Sequence, residues 1–212
     1  MGIREIQVAA HNFTVHELDD VYDSVTGRAL TGSWVWNSAL VLSHWMSTHL
    51  NFQGKAVVEL GAGAGLPGLT AALLGASRVL LTDIQPLLPG LLKNVEANGF
   101  KERVEVRELV WGSETESGPF DVVLMSDVFY DPENMVRLGN TLERICREGT
   151  EVWAATELRP STGDRLNELM NQGFQMVEVQ LTTQLDVQNG MEDSNQFAIF
   201  QIICHVSPTP VI

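Results

Sequence analysis

The chain has 212 residues, 44% of them hydrophobic, enough for one α/β domain with a substantial buried core. Its net charge of −14 argues against binding nucleic acid through phosphates and is compatible with a basic partner such as a lysine-rich protein segment. No run approaches the roughly 18 apolar residues of a membrane span, and the first ten residues carry Arg4 and Glu5 where a secretory signal is apolar.

Residues 1–36 read as a preamble of short extended pieces, with turns at Asp23-Ser24 and Thr26-Gly27. Residues 37–50 predict a helix capped by Asn37, with Leu40, Val41, Trp45 and Met46 on one face. From Lys55 onward, strands near 55–60, 78–82, 103–108, 121–126 and 150–156 alternate with helices near 66–75, 86–98, 134–148 and 162–172. This rhythm implies a parallel sheet with helices on both faces. Two strand-like runs, 174–180 and 196–205, then follow without a helix between them and predict an antiparallel pair that closes the sheet. The polar loop 181–195 joins them, and its Asp186, Glu192 and Asp193 are expected to form an acidic substrate lip. The two cysteines, Cys146 and Cys204, form no CxxC pair, and the five histidines do not cluster, so a reducing compartment and no metal site are expected.

Ligands of such sheets bind beyond the carboxyl ends of the strands, and four features fall there. Val57-Val58-Glu59-Leu60 is an apolar strand that runs into Gly61-Ala62-Gly63-Ala64-Gly65. Glycines let the backbone approach a ligand closely, and the following helix aims free N–H groups at it. The dinucleotide fingerprint G-x-G-x-x-G does not fit, because Leu66 stands at its third glycine. Asp83 ends the second strand, 22 residues beyond Gly61, where a carboxylate can accept ribose hydroxyls or cap the next helix. Trp111 follows the third strand and can cover a flat base. The fourth strand ends at Ser126, followed by Asp127 and Tyr130 three residues apart, with Pro132 halting the extended run.

Together these residues resemble the family 16 seven-β-strand methyltransferases, including the methyltransferase-like 21 group of protein-lysine methyltransferases. The resemblance runs from Thr31 onward and rests on Thr31 to Trp36, the Glu59–Gly65 loop, Asp83, Trp111-Gly112 and Asp127-x-x-Tyr130. It implies a single class I domain over 1–212 with an N-terminal extension, 1–36. The fold is a Rossmann-like, seven-stranded, mostly parallel sheet with a C-terminal antiparallel hairpin. S-adenosylmethionine is the implied cofactor, held by Trp36, Glu59, Gly61, Ala62, Gly63, Asp83, Trp111 and Ser126. Asp127, Tyr130 and Glu157 are the implied catalytic residues, with Asp127 aligning the acceptor amine and Glu157 holding a lysine. The implied partner is a protein substrate such as a chaperone, an ATPase or a translation factor. A monomeric enzyme of the cytoplasm, with a nuclear pool, is expected. The run Asp127-Val128-Phe129-Tyr130-Asp131-Pro132-Glu133 sits close to a variant of arginine-methylating relatives. An arginine acceptor, a small-molecule N- or O-methyltransferase and a non-catalytic scaffold are therefore the alternatives.

Overall fold

The computed structural model describes residues 2–18, 21, 22, 24, 27, 30–113, 118–180 and 196–204. Its elements in chain order are β1 (Gly2–Val8), β2 (His11–Glu17), α1 (Asn37–His49), β3 (Ala56–Leu60), α2 (Leu66–Leu73), β4 (Arg78–Asp83), α3 (Leu88–Ala97) and β5 (Val104–Glu108). They continue with β6 (Val122–Ser126), α4 (Pro132–Ile145), β7 (Glu151–Glu157), α5 (Thr162–Asn171), β8 (Gln175–Val179) and β9 (Phe197–Ile203). The main sheet has seven strands in the order β5-β4-β3-β6-β7-β9-β8. Strands β3 to β7 are all parallel, and β9 lies antiparallel between β7 and β8.

Successive strand residues face opposite ways, and the core divides accordingly. Val57, Val122, Leu124 and Trp153 join Leu42 of α1, Leu69 of α2 and Leu91 of α3 on one face. Val58, Val123, Met125 and Ala154 join Leu138 of α4 and Leu169 of α5 on the other. The strands most buried on both faces, β3 and β6, lie together mid-sheet. The glycine loop leaves from β3, so its base is anchored in a buried strand at mid-sheet.

The amino-terminal segment is a regular β1–β2 hairpin rather than loose extended pieces. Val8 pairs with His11, so the turn is Ala9-Ala10, with φ of 50° and 64°. The hairpin buries Val8, Phe13 and Val15 completely. Its β2 edge is closed by side chains of α3. Asn98 Oδ1 accepts from Thr14 N at 3.0 Å, and its Nδ2 donates to Thr14 O at 2.9 Å. Asn94 Oδ1 accepts from His16 N at 2.8 Å, and its Nδ2 donates to His16 O at 3.3 Å and to Ala64 O at 3.0 Å. Two asparagines one helical turn apart thus act as the missing neighbour strand.

Two local expectations, at Asn37 and Asp83, need correction. Asn37 does not cap α1: the cap position is Trp36, which makes no side-chain capping bond, and Asn37 is already helical. Pro132 ends the extended run as expected, and it also opens α4, where its absent N–H costs nothing, behind Asp131, whose Oδ1 accepts from Glu133 N at 3.0 Å. Asp83 does not cap the helix after it; its bonds are given below. Asp23, Thr26, His205 and the loop 181–195 with its expected acidic lip lie outside the described residues. No described helix is long and apolar enough to cross a membrane.

Candidate active site

Gly61, Gly63 and Gly65 all adopt positive φ, at 64°, 55° and 82°. At Gly63 the reason is contact: a Cβ there would stand 2.3 Å from the carbonyl oxygen of Gly32. The glycine loop and the 30–36 segment therefore meet backbone to backbone, and only glycine permits it. At Gly61 a Cβ would stand 3.1 Å from the Trp111 indole. Gly65 leads into α2, leaving that helix's first N–H groups without intrahelical partners.

Glu59 departs from its expected role. It is fully buried beneath the loop and does not line the cavity; its Oε2 accepts from Gly68 N at 2.8 Å, and its Oε1 has no partner. It satisfies one of the free N–H groups of α2 from below. Burial, reinforced by the charge of Asp83 and only partly opposed by the Gly68 bond, pushes its carboxyl up to about 8. Gly68 is the close partner this needs, since a Cβ there would stand 2.8 Å from Glu59 Oε2.

Asp83 lines the cavity. Its Oδ2 accepts from Gly63 N at 2.7 Å and its Oδ1 from Ile84 N at 2.8 Å. Burial raises its carboxyl from the ordinary value, against the pull of those two bonds. An ionised carboxylate offers about four lone-pair sites, so two oxygens with one N–H each retain capacity for a pair of hydroxyls.

The cavity is about 560 Å³, within the range of small-molecule sites. Gly61, Ala62, Gly63, Asp83 and Trp111 line it together with Trp36, Ser126, Asp127 and Tyr130. Trp34, Trp36 and Tyr130 are 39%, 38% and 62% exposed, so aromatic surface rings the mouth. The segment bearing the two tryptophans is pinned to the hairpin: Val35 N donates to Glu17 Oε1 at 2.8 Å, and Ser33 Oγ donates to Leu18 O at 2.6 Å. Among the described residues no group of His, Cys, Asp and Glu is arranged to hold a metal ion.

Asp127 sits at the end of β6 with φ of 55°, tied to β7 through its N–H to Ala155 O at 2.9 Å. Its carboxylate is not open to an incoming amine. Arg159 Nη1 donates to Oδ1 at 3.2 Å and Arg159 Nη2 to Oδ2 at 2.8 Å, and the Asp127 side chain is only 6% exposed. Glu157 does not line the cavity; its Oε2 accepts from Arg159 Nη2 at 2.7 Å. Arg159 itself lines the cavity, with its guanidinium 5.7 Å from the centre of the Trp36 ring. Burial works against its charge, but Asp127 and Glu157 more than offset this, and its proton is held above the ordinary range. Arg159 is the residue that sequence reasoning passed over. Its signal was its place two residues after Glu157 in extended chain, where i and i+2 share a side.

The lining suits a nucleoside: a glycine turn whose backbone can come close to a ligand, a buried carboxylate with free lone pairs, and an indole beside Gly61.

A family model described as lysine methyltransferase matches residues 22–173. Protein N-lysine methyltransferase METTL21A of Danio rerio is 36% identical over 160 residues, covering 72% of this chain and 73% of the relative. EEF1A lysine methyltransferase 3 of Xenopus tropicalis is 36% identical over 133 residues, covering 61% of this chain and 59% of the relative. Among solved structures, the glycopeptide N-methyltransferase MtfA complexed with S-adenosyl-L-methionine superposes with a TM-score of 0.61 at 11% identity, over 78% of this chain and 86% of the other.

Proposed function

This chain belongs to the lysine methyltransferase family matched over residues 22–173, and we infer that it methylates a lysine ε-amine on a protein substrate. It is an S-adenosylmethionine-dependent methyltransferase of the class I fold. The observation that carries the reading is the continuity of one cavity. The glycine loop, Asp83 and Trp111 share it with an exposed aromatic mouth at Trp36 and Tyr130.

When bound, S-adenosylmethionine supplies an electrophilic methyl group on a sulfonium sulfur. Asp83 would accept the ribose hydroxyls, Trp111 would cover the base, and the backbone of Gly61 to Gly63 would admit the amino-acid end. Trp36 and Ser126 would complete the enclosure, with Glu59 acting from underneath by fixing α2. Tyr130 forms an aromatic wall at the mouth; partial enclosure, with the charges of Asp83 and Asp131, keeps its phenol proton above the ordinary range. Such a wall gives the aliphatic stem of a lysine an apolar face to lie against. The backbone beside Ser126 would align the acceptor, with Asp127 acting at one remove by fixing Arg159, so that the chain contributes orientation.

The substrate is a protein with an accessible lysine, and the relative named EEF1A lysine methyltransferase 3 favours a translation factor over a chaperone or an ATPase. The enzyme acts as a monomer in the cytoplasm, where its acidic surface would draw a basic segment.

The test is transfer of tritiated methyl from S-adenosylmethionine into cell-extract proteins by wild type and by Asp127→Asn, followed by protease treatment and amino-acid analysis. Asparagine is the chosen replacement because it tolerates positive φ better than alanine. A protease-sensitive band made by wild type and yielding ε-methyllysine is expected. Methylarginine in that band, or label confined to small molecules, would overturn the reading.

A further inference from the structure

Along the cavity the paired charges are an exposed arginine and a nearly covered aspartate, while the second carboxylate, Glu157, lies off the lining. Asp127 Oδ1 and Oδ2 both accept from Arg159, and Glu157 Oε2 accepts from the same Nη2. The Asp127 side chain is 6% exposed and that of Arg159 35% exposed. The group turned toward the cavity and the Trp36 face is therefore the guanidinium.

We propose that Arg159 is a positioning and specificity-determining residue: it binds up Asp127 and Glu157 and sets a fixed cation at the mouth, so that the acceptor enters as a neutral amine. The inference rests on the reading of the chain as a lysine methyltransferase. A lysine is an ammonium ion at neutral pH, and an ammonium has no lone pair to donate. An uncovered Asp127 on the lining, with Glu157 close behind it, would hold it in that form. Arg159 cancels one of the two negative charges and repels the ammonium, while the amine that has given its proton to bulk water is admitted. Guanidinium suits this task because it stays charged at any pH where a lysine can react. The other charged and titratable groups along the same cavity are Asp83 at the end of β4, Tyr130 before α4 and Arg137 on α4. Removal of Arg159 leaves all of them in place.

The experiment measures the initial rate of methyl incorporation into the labelled extract band from pH 7 to pH 10. It compares wild type, Arg159→Gln and Arg159→Lys at saturating S-adenosylmethionine. A charge at this range moves an amine's titration by about a unit or more. For Arg159→Gln the acid limb of the profile moves upward by about one pH unit, so the rate at pH 7.5 falls roughly tenfold and recovers at the alkaline end. Arg159→Lys keeps the charge and keeps the wild-type profile, even if its ceiling is lower. Calorimetric affinity for S-adenosylmethionine stays near wild type in both. A rate for Arg159→Gln that is lowered by one factor at every pH would make Arg159 merely structural and overturn the proposal. A rate above wild type at pH 7.5 would make it an obstruction and overturn it equally. A wild type that labels no lysine at any pH would overturn the functional reading itself, and the proposal with it.

Discussion

Replacing Glu59 by Gln should flatten the alkaline loss of stability of the ligand-free protein. The Glu59 carboxyl is fully buried, with one oxygen on Gly68 N and the other without a partner. Its folded value of about 8 lies above the ordinary 4.5. The folded state therefore binds this proton more tightly than the unfolded state. The stability it lends is complete below 4.5 and drains away as pH rises through 8. Between pH 6 and pH 9 the drain spans about two units, or about 3 kcal/mol. In a chain of this size that corresponds to roughly 6 to 12 °C in Tm. Gln keeps an oxygen for Gly68 and cannot ionise. Whatever its amide costs at the partnerless position is the same at every pH, so the slope isolates the titration. Asp83 rises in the same sense, and His16 and His44 are lowered chiefly by burial, but all three are common to both proteins. Thermal melts at pH 6, 7, 8 and 9 read the difference. Parallel curves for Glu59→Gln and wild type would mean that the carboxyl is ionised in the fold, and the argument would be refuted.

Gly63→Ala should weaken S-adenosylmethionine binding by tenfold or more, since its Cβ meets the Gly32 carbonyl; Gly54→Ala, at φ of 76° with nothing within 4 Å, should cost only about 1–2 kcal/mol of stability. Calorimetry and melts separate the two, and equal cofactor affinity in both would refute the backbone contact. Replacing Ala9-Ala10 by Asn-Gly, residues suited to positive φ at a two-residue hairpin turn, should stabilise the protein by about 1 kcal/mol, or roughly 2 to 4 °C in Tm. The sulfurs of Cys146 and Cys204 stand 2.9 Å apart, and neither residue lines the cavity. Hydrogen peroxide should join them, each molecule taking two hydrogens and leaving as two waters; peptide mass mapping reads the link, and two free thiols after treatment would refute it.

Much of this architecture was legible because its strands are short apolar runs bounded by glycine, and period two divides them between two faces. The glycine turn could be read for the same reason that it works: Gly61 and Gly63 stand where side chains cannot. Other features were hidden. Ala9-Ala10 carries no turn chemistry, so the hairpin is set by the burial of Val8, Phe13 and Val15, a tertiary effect invisible to local pattern. Glu59 and Asp83 look alike on paper, each an acid near a strand's carboxyl end. Only the fold shows that one turns beneath the loop to Gly68 and the other lines the cavity. Asp127 was read as a free carboxylate because its partner lies 32 residues away, on the next strand's extension.

The family match stops at residue 173 and starts at residue 22, yet the physical unit is larger. Beyond the match lie β9, wedged between β7 and β8, and the β1–β2 hairpin that Asn94 and Asn98 hold. Asn94 also grips Ala64 of the glycine loop. A fragment trimmed to the shared region would leave β7 as a raw edge and strip apolar cover from α1 and α3. For anyone building chimeras among such enzymes, the interchangeable module is not the stretch that sequence comparison outlines. The flanks must travel with it, and a donor hairpin must arrive with two asparagines one turn apart on the helix that receives it.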